Sequence, residues 1–210
     1  METLDIVADI QIGYTARGRL EPMAGGVRAI QLRDTSPDGR SGDEPVDRFR
    51  LDDVPARYWA RSGDIVFRSR GDRNTATTLG DEFDEPAVAV MPLVIIRPKP
   101  HVLAEYLAWY MNEPAAQRHF DRGARGTGIR MIPIVCLASL EVPVPAMDTQ
   151  RAITAAASLA RREFILAGQL AEKRRRLISA ALLSTARESI HNNVGVKAAR
   201  VSHPAKGGKS

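Results

Sequence analysis

A short basic segment, Arg122-Gly123-Ala124-Arg125-Gly126-Thr127-Gly128, contains three glycines and two arginines. The glycines permit positive φ angles and close backbone approach, and the arginines supply planar, permanently charged donors. That combination suits a phosphate group or the edge of a guanine. The segment therefore predicts a ligand-binding loop, with Arg122, Arg125, Thr127 and the nearby Arg130 as candidate contacts.

A second basic loop follows the strand-like run Ile65-Val66-Phe67, and its polar residues are Arg68, Arg70, Arg73 and Asn74. Alternation along an extended chain puts Arg68 and Arg70 on one side. Arginine pairs with guanine O6 and N7, and asparagine pairs with adenine N6 and N7. The alternative is a solvated loop with local pairs to Asp64 and Asp72.

A third candidate, Gly13-Tyr14-Thr15-Ala16-Arg17-Gly18-Arg19, places two arginines around a tyrosine in an exposed turn. Tyr14, Arg17 and Arg19 could contact phosphate there, and a plain hairpin loop fits the same residues equally well. The three loops together point to an anionic partner.

Catalytic patterns are missing from the sequence. It contains no Pro-Pro dipeptide, which amino-methylating DNA methyltransferases need, and no lysine preceded at two residues by an acid, as common Mg-dependent nucleases require. The four histidines are scattered, and Cys136, the single cysteine, lies in an apolar run where an inert buried thiol is expected. We expect no catalytic site, no cofactor and no metal.

The elements that must position the loops are a mixture of strands and helices. Strands or extended segments are predicted over residues 4–12, 27–34, 65–67 and 87–97, the last interrupted by Pro92. Leu103 to Met111 has helical spacing, and Pro114 can open a second helix. The runs 129–135 and 137–144 are rich in β-branched residues and predict short edge strands. Residues 34–44 read as a surface loop.

A long helix is predicted from Gln150 to about Ser189, capped by Asp148 or Thr149. Ile153, Phe164 and Ile178 belong to one apolar stripe with many alanines, and Leu159, Leu166, Leu170 and Leu177 form a second. Such a helix must pack on the domain, a partner or a second copy. Lys173-Arg174-Arg175-Arg176 is either a solvated face or a contact to the DNA backbone.

Composition is that of a folded, moderately basic protein. The chain has 210 residues, is 44% hydrophobic and carries a formal net charge of +5, so an anionic partner fits. The amino terminus contains acids where a signal peptide needs a basic start, and no apolar stretch reaches membrane-spanning length. We expect a cytoplasmic protein with no membrane partner.

Several segments, in their order along the chain, resemble the specificity subunits of type I restriction-modification systems. The main match is Leu140-Glu141-Val142-Pro143-Val144-Pro145, followed by Gln150 and Ile153, which is similar to the boundary between a DNA target-recognition domain and its spacer helix. Further matches are the Gly13 and Gly126 loops, residues 62–68, 87–89 and 105–110. The resemblance covers roughly residues 4 to 185.

The resemblance implies an α+β fold: a compact mixed-sheet target-recognition domain at residues 1–145, followed by a long spacer helix at 146–189. Residues 190–210 contain no acid and carry basic residues among Gly, Ser and Pro, which predicts a disordered basic tail. The resemblance also implies that the protein binds double-stranded DNA and has no catalytic site of its own. Its partners would be a methyltransferase (modification) subunit, which binds S-adenosylmethionine, with or without a restriction subunit. Because the family usually carries two recognition domains, we expect two copies to pair through antiparallel helices and read a palindromic bipartite site.

Other interpretations stay open at this point. Within the same class, a lone module could dock on one methyltransferase. From another class, a structural adaptor with the same fold could recruit a partner through the helix without reading DNA sequence. An enzyme with an unfamiliar active site is a third interpretation, but the sequence offers no paired acid and base to support it.

Overall fold

The computed structural model describes residues 1–16, 18–35, 46–71, 73–80, 83, 85–126 and 128–201, with side chains described as far as residue 186. The chain divides into two compact units, Met1–Ala157 and Ser158–Ser210. The first unit carries every strand found in the described residues.

The strands are β1 (Glu2–Thr3), β2 (Ala8–Ile12), β3 (Pro22–Ile30), β4 (Arg48–Phe49), β5 (Trp59–Ala60), β6 (Ile65–Arg68), β7 (Ala76–Thr78), β8 (Ala87–Ala89), β9 (Leu93–Pro98) and β10 (Glu141–Val142). The helices are α1 (Leu4–Val7), α2 (Ala104–Asn112), α3 (Pro114–Gly123), α4 (Ile134–Ala138) and α5 (Met147–Val201). The predicted α+β class, with a long C-terminal helix, is confirmed.

Two four-stranded sheets and one small pair make up the β structure. The central sheet has the order β2-β9-β6-β7 and is antiparallel throughout, the second sheet has the order β4-β3-β8-β5, and β1 pairs with β10. In the second sheet β3 runs parallel to β8, while the pairs β3–β4 and β5–β8 are antiparallel. The second sheet is therefore mixed, as predicted for the domain.

The central sheet is buried on both faces. Along β6, Ile65 and Phe67 face a core shared with α1 to α4, while Val66 faces a second core shared with β3, β5 and β8. Along β9, Ile96 faces the first of these cores, the helix-side core, and Ile95 faces the second. Successive strand residues point to opposite faces, so a continuous apolar run indicates a strand with protein on both sides. The domain is a layer of helices, a central sheet and a second sheet.

The helices α2 and α3 lie where the sequence predicts them. Tyr106 and Leu107 of α2 are buried in the helix-side core, and α3 begins at Pro114 and buries Phe120. Trp109 is half-buried against this core, which is the partial burial expected of a residue off the main apolar face. These two helices cover the central sheet and lead directly into the Gly-rich loop.

The prediction of two edge strands before the long helix is wrong for the first of them. Ile134–Ala138 forms α4, in which Leu137 is fully buried, and Cys136 lies on this helix rather than on a strand. The Cys136 carbonyl accepts a hydrogen bond from the His119 ring at 2.8 Å. Packing on α3 thus overrides the local β preference of the run. In the second run only Glu141–Val142 is a strand.

The long helix starts earlier and ends later than the sequence indicates, because α5 extends from Met147 to Val201. Residues 202–210 and most of the predicted 34–44 loop lie outside the described residues. The disorder of the basic tail and the division at 145 and 189 stay predictions. No helix in the described part of the chain is long and apolar enough to cross a membrane.

Gln150 ties the first turn of α5 to the rest of the domain. Its side chain is fully buried; Oε1 accepts a hydrogen bond from the Leu103 backbone N–H at 2.9 Å. The Nε2 group donates to the carbonyls of His101 at 3.0 Å and Pro145 at 2.8 Å. The amide therefore provides a hydrogen-bond partner for the N–H of Leu103, the N-cap residue of α2, and for two neighbouring carbonyls. These three bonds explain why a glutamine lies at this boundary.

Candidate nucleic-acid interface

Four connections form the candidate interface: the β2–β3 loop (residues 13–21), the β6–β7 loop (69–75), the β8–β9 turn (90–92) and the α3–α4 loop (124–133). The β8–β9 turn joins the first two. The Tyr14 N–H donates to the Ala89 carbonyl at 2.7 Å, and the Met91 N–H donates to the Tyr14 carbonyl at 3.0 Å. On the other side, Ser69 Oγ donates to the Pro92 carbonyl at 2.6 Å.

The α3–α4 loop pairs with the β6–β7 loop through the backbone. The Ile132 N–H donates to the Ser69 carbonyl at 2.7 Å, and the Gly71 N–H donates to the Arg130 carbonyl at 3.1 Å. All three basic loops predicted from the sequence are consequently linked by hydrogen bonds into one surface, although they are far apart along the chain.

Met131 lies opposite both Arg70 and Arg125 in isolated antiparallel bridges. Arg125 and Met131 exchange both backbone hydrogen bonds at 2.9 Å, and Arg70 and Met131 form the adjoining pair without direct bonds. Directly opposite residues of an antiparallel ladder share a face, and all three side chains are exposed. We call this row, Arg70, Met131 and Arg125, the loop ladder.

The other face of the loop ladder points toward the protein interior. Ile132 is 2% exposed and belongs to the helix-side core, and Ser69 is 9% exposed. Arg130 alternates with Met131 onto this side, and its guanidinium pairs with Asp121 at 2.5 Å. We therefore assign Arg130 to holding the loop against α3 rather than to base contact.

Gly126 makes the turn that returns the chain to Met131. Its φ is +105°, and a Cβ atom there would lie 2.7 Å from the carbonyl oxygen of Ile129. An L-residue is strained in that conformation and would also collide with this oxygen. The glycine is needed to hold Arg125 opposite Met131.

The Arg68 side chain makes hydrogen bonds within the protein. Its Nη1 group donates to the Leu32 carbonyl at 2.8 Å and to both oxygens of Thr35. Burial lowers the pKa of the guanidinium, and its Nε atom is buried without a partner. The side chain lines a cavity of about 570 Å³ with Gln31 and the β8–β9 turn.

Asn74, which the sequence offers as a partner for adenine, is buried in this structure, and its base contact stays a prediction. Asn74 is 3% exposed, and its side-chain amide donates to the Arg68 carbonyl at 2.9 Å. The residue closes the β6–β7 loop on itself, so its amide does not face the surface. Sequence alone cannot separate such an internal bond from an available amide.

The remaining candidates are Tyr14 and several arginines. Tyr14 is half-buried, with its ring edge-on to Tyr58 at 5.4 Å. The exposed arginines here are Arg19, Arg73 and Arg122. Arg17 and Thr127 lie outside the described residues. Within the described part of the chain, no cluster of His, Cys, Asp or Glu is placed to hold a metal ion.

No protein-family profile matches the chain, and no curated protein matches it significantly. Solved structures do share its architecture. One is a chain from a structure describing complex assembly and conformational transition of the type I R-M system. It is 19% identical with a TM-score of 0.58, and the match covers 77% of this chain and 37% of that chain.

Another is the crystal structure of the HsdS subunit from Thermoanaerobacter tengcongensis. It is 19% identical with a TM-score of 0.57, and the match covers 77% of this chain and 36% of that chain. The chain therefore spans little more than a third of the length of these neighbours. Its fold is that of type I specificity subunits, which confirms at the level of fold the resemblance seen in the sequence.

Proposed function

We propose that this chain is a non-catalytic DNA-recognition subunit of a type I-like restriction-modification or related phage-defence system. It binds double-stranded DNA and directs a separate methyltransferase, with or without a restriction subunit, to a target sequence. The observation that supports this most is the joining of three basic loops into one surface, on a fold shared with HsdS.

Charge and exposure support a nucleic acid as the partner. Arg70, Arg73 and Arg125 are exposed on neighbouring loops, and Arg122 is exposed in the last turn of α3. No salt bridge in the described part of the chain involves any of the four. Phosphate contacts set the position of a protein on DNA, and side chains in the grooves read the bases. Arginine serves both purposes, so this surface can grip the duplex and read it.

The second unit supports pairing of two copies. Its helix exposes Leu159, Leu166, Leu170 and Leu177 along one stripe and Phe164 and Ile178 along another. Among the nearby cations, Arg175 and Arg176 both pair with Glu172, which favours a solvated face for them over DNA contact. A chain with one recognition domain gains a second by two-fold pairing, and two antiparallel copies of α5 bury both stripes.

Charge insertion tests the pairing. Leu166→Glu and Leu170→Glu place repelling carboxylates in the proposed contact, so we expect each to shift a dimer toward monomer in sedimentation over a concentration series. Ser179→Glu, on the other side of the helix, is the matched control and leaves the dimer intact. A wild-type chain that stays monomeric at every concentration contradicts the pairing and favours a lone module.

Co-purification tests the function itself. The chain is co-expressed with the products of its neighbouring genes, and a complex with a methyltransferase is titrated with duplexes of different sequence at several salt concentrations. We expect a stable complex with sequence-selective binding that persists as salt rises, beside non-specific binding that salt abolishes. A chain that purifies alone and binds every duplex equally contradicts DNA reading and favours the adaptor role.

A further inference from the structure

The loop ladder has a geometry that matches the spacing of bases. A directly bonded antiparallel pair has Cα atoms about 5.5 Å apart, and the adjoining pair about 4.5 Å apart. The Cα atoms of Arg70 and Arg125 are therefore about 10 Å apart across Met131. Base pairs of a duplex rise by about 3.4 Å each, so the two arginines match positions about three base pairs apart.

The chemistry of the row is equally specific. Among the described residues, neither Arg70 nor Arg125 forms an ion pair or a side-chain hydrogen bond. Met131, between them, is 46% exposed. In the major groove, arginine bonds two acceptors of guanine at once, and an apolar side chain contacts the C5 methyl group of thymine. No acid belongs to the row.

The rigidity of the row favours base reading over loose phosphate contact. Backbone hydrogen bonds hold Arg125 and Met131 directly and hold Arg70 through its neighbours Ser69 and Gly71. The inner face is anchored by Ile132 in the core. Reading needs side chains held in one register, whereas a phosphate accepts a cation from many directions. Arg73, exposed on the same loop but outside the ladder, has no such support.

We infer that the loop ladder is the base-reading element of the chain and lies in the major groove. Arg70 and Arg125 each read one guanine, the two guanines lying about three base pairs apart, and Met131 reads the methyl group of a thymine between them. This inference rests on the proposed function and adds the residues that determine specificity and the kind of half-site they select.

Selection of bound sequences from a random duplex library tests the inference, with the chain in complex with its methyltransferase. Arg70→Lys and Arg125→Lys keep the charge but lose the two-bond contact. We expect each to flatten one guanine position of the selected motif and to weaken binding to the wild-type site about fivefold to a hundredfold. Arg50→Lys is the matched control, because Arg50 is exposed beside β4 and outside the candidate interface, and it keeps the motif.

A uracil probe tests Met131. Replacing the thymine between the two guanines by uracil removes only the methyl group, and we expect the wild-type complex to bind this probe about fourfold more weakly. Met131→Ala should bind both probes equally. Met23→Ala is the control, because Met23 is exposed to nearly the same extent, 45%, on the second sheet.

The outcomes distinguish failure of this inference from failure of the proposed function. If the wild-type complex selects a motif and both lysine variants select the same motif with unchanged affinity, the arginines contact phosphates and the inference is wrong, while the proposed function stands. Discrimination against uracil that survives in Met131→Ala also overturns the assignment of Met131. If the wild-type complex selects no motif, the proposed function itself fails.

Discussion

Replacing Gln150 tests how the domain holds its long helix. Gln150→Met keeps the length and approximate volume of the side chain but removes all three hydrogen bonds that the buried amide makes with Leu103, His101 and Pro145. Volume-conserving changes disturb packing little. The loss should therefore report the hydrogen bonds themselves.

The magnitude follows from the number of bonds. A buried hydrogen bond contributes about 1 kcal/mol net, so three give about 3 kcal/mol. The Leu103 N–H would be left buried without an acceptor, which adds to the loss. Urea unfolding followed by tryptophan fluorescence measures it, because Trp59 and Trp109 both lie in the first unit. We expect the free energy of unfolding to fall by about 3 kcal/mol.

A matched control is present on the same helix. Gln169 is exposed, so Gln169→Met should change the free energy of unfolding by less than about 0.5 kcal/mol. A loss in Gln150→Met that is no larger than that of the control would show that the amide is dispensable, and would refute the argument that it holds α5 to α2.

Three further changes test other parts of the domain. Gly123→Ala should destabilise it, because the new Cβ would lie 2.2 Å from Cys136 Sγ, and Cys136→Ala should partly restore stability in the double variant. Gly126→Ala should weaken sequence-selective DNA binding more than it weakens folding, because it strains only the turn of the α3–α4 loop. Burial raises the pKa of Asp64; the folded state then binds more protons between the unfolded and folded pKa values, so wild-type stability should fall relative to Asp64→Asn as pH rises through that window.

A specific result would contradict each of these three predictions. Equal unfolding curves for the single and double variants at Gly123 and Cys136 would mean that the two helices do not meet there. Unchanged DNA selectivity in Gly126→Ala would remove the turn from the interface. A difference between wild type and Asp64→Asn that stays constant with pH would contradict the raised pKa.

The sequence predicts well those elements whose signals are local. The start of α3 follows from Pro114, and the buried strand β6 follows from the apolar run at Ile65. The order of the basic loops, together with the boundary that contains Gln150, predicts the shared fold. Apart from the order of the loops, each of these signals lies within a few adjacent residues.

Features that depend on distant contacts could not be predicted. Asn74 reads as an available amide until the fold turns it onto the Arg68 carbonyl. Met131 carries no signal of its own, because it becomes part of a row only when the fold brings Arg70 and Arg125 to either side of it. Local preference also misled at α4, where packing of Leu137 outweighs the β-branched residues beside it.

Mapping DNA methylation tests the central claim most directly. The chain and a methyltransferase that co-purifies with it are expressed together in a host without methylation of its own, and the modified bases are located across the genome. We predict one methylated motif that disappears when the chain is omitted and that loses a guanine position in Arg70→Lys. Methylation that is absent with both proteins present, or unchanged when the chain is left out, would contradict the claim that this chain selects the DNA target.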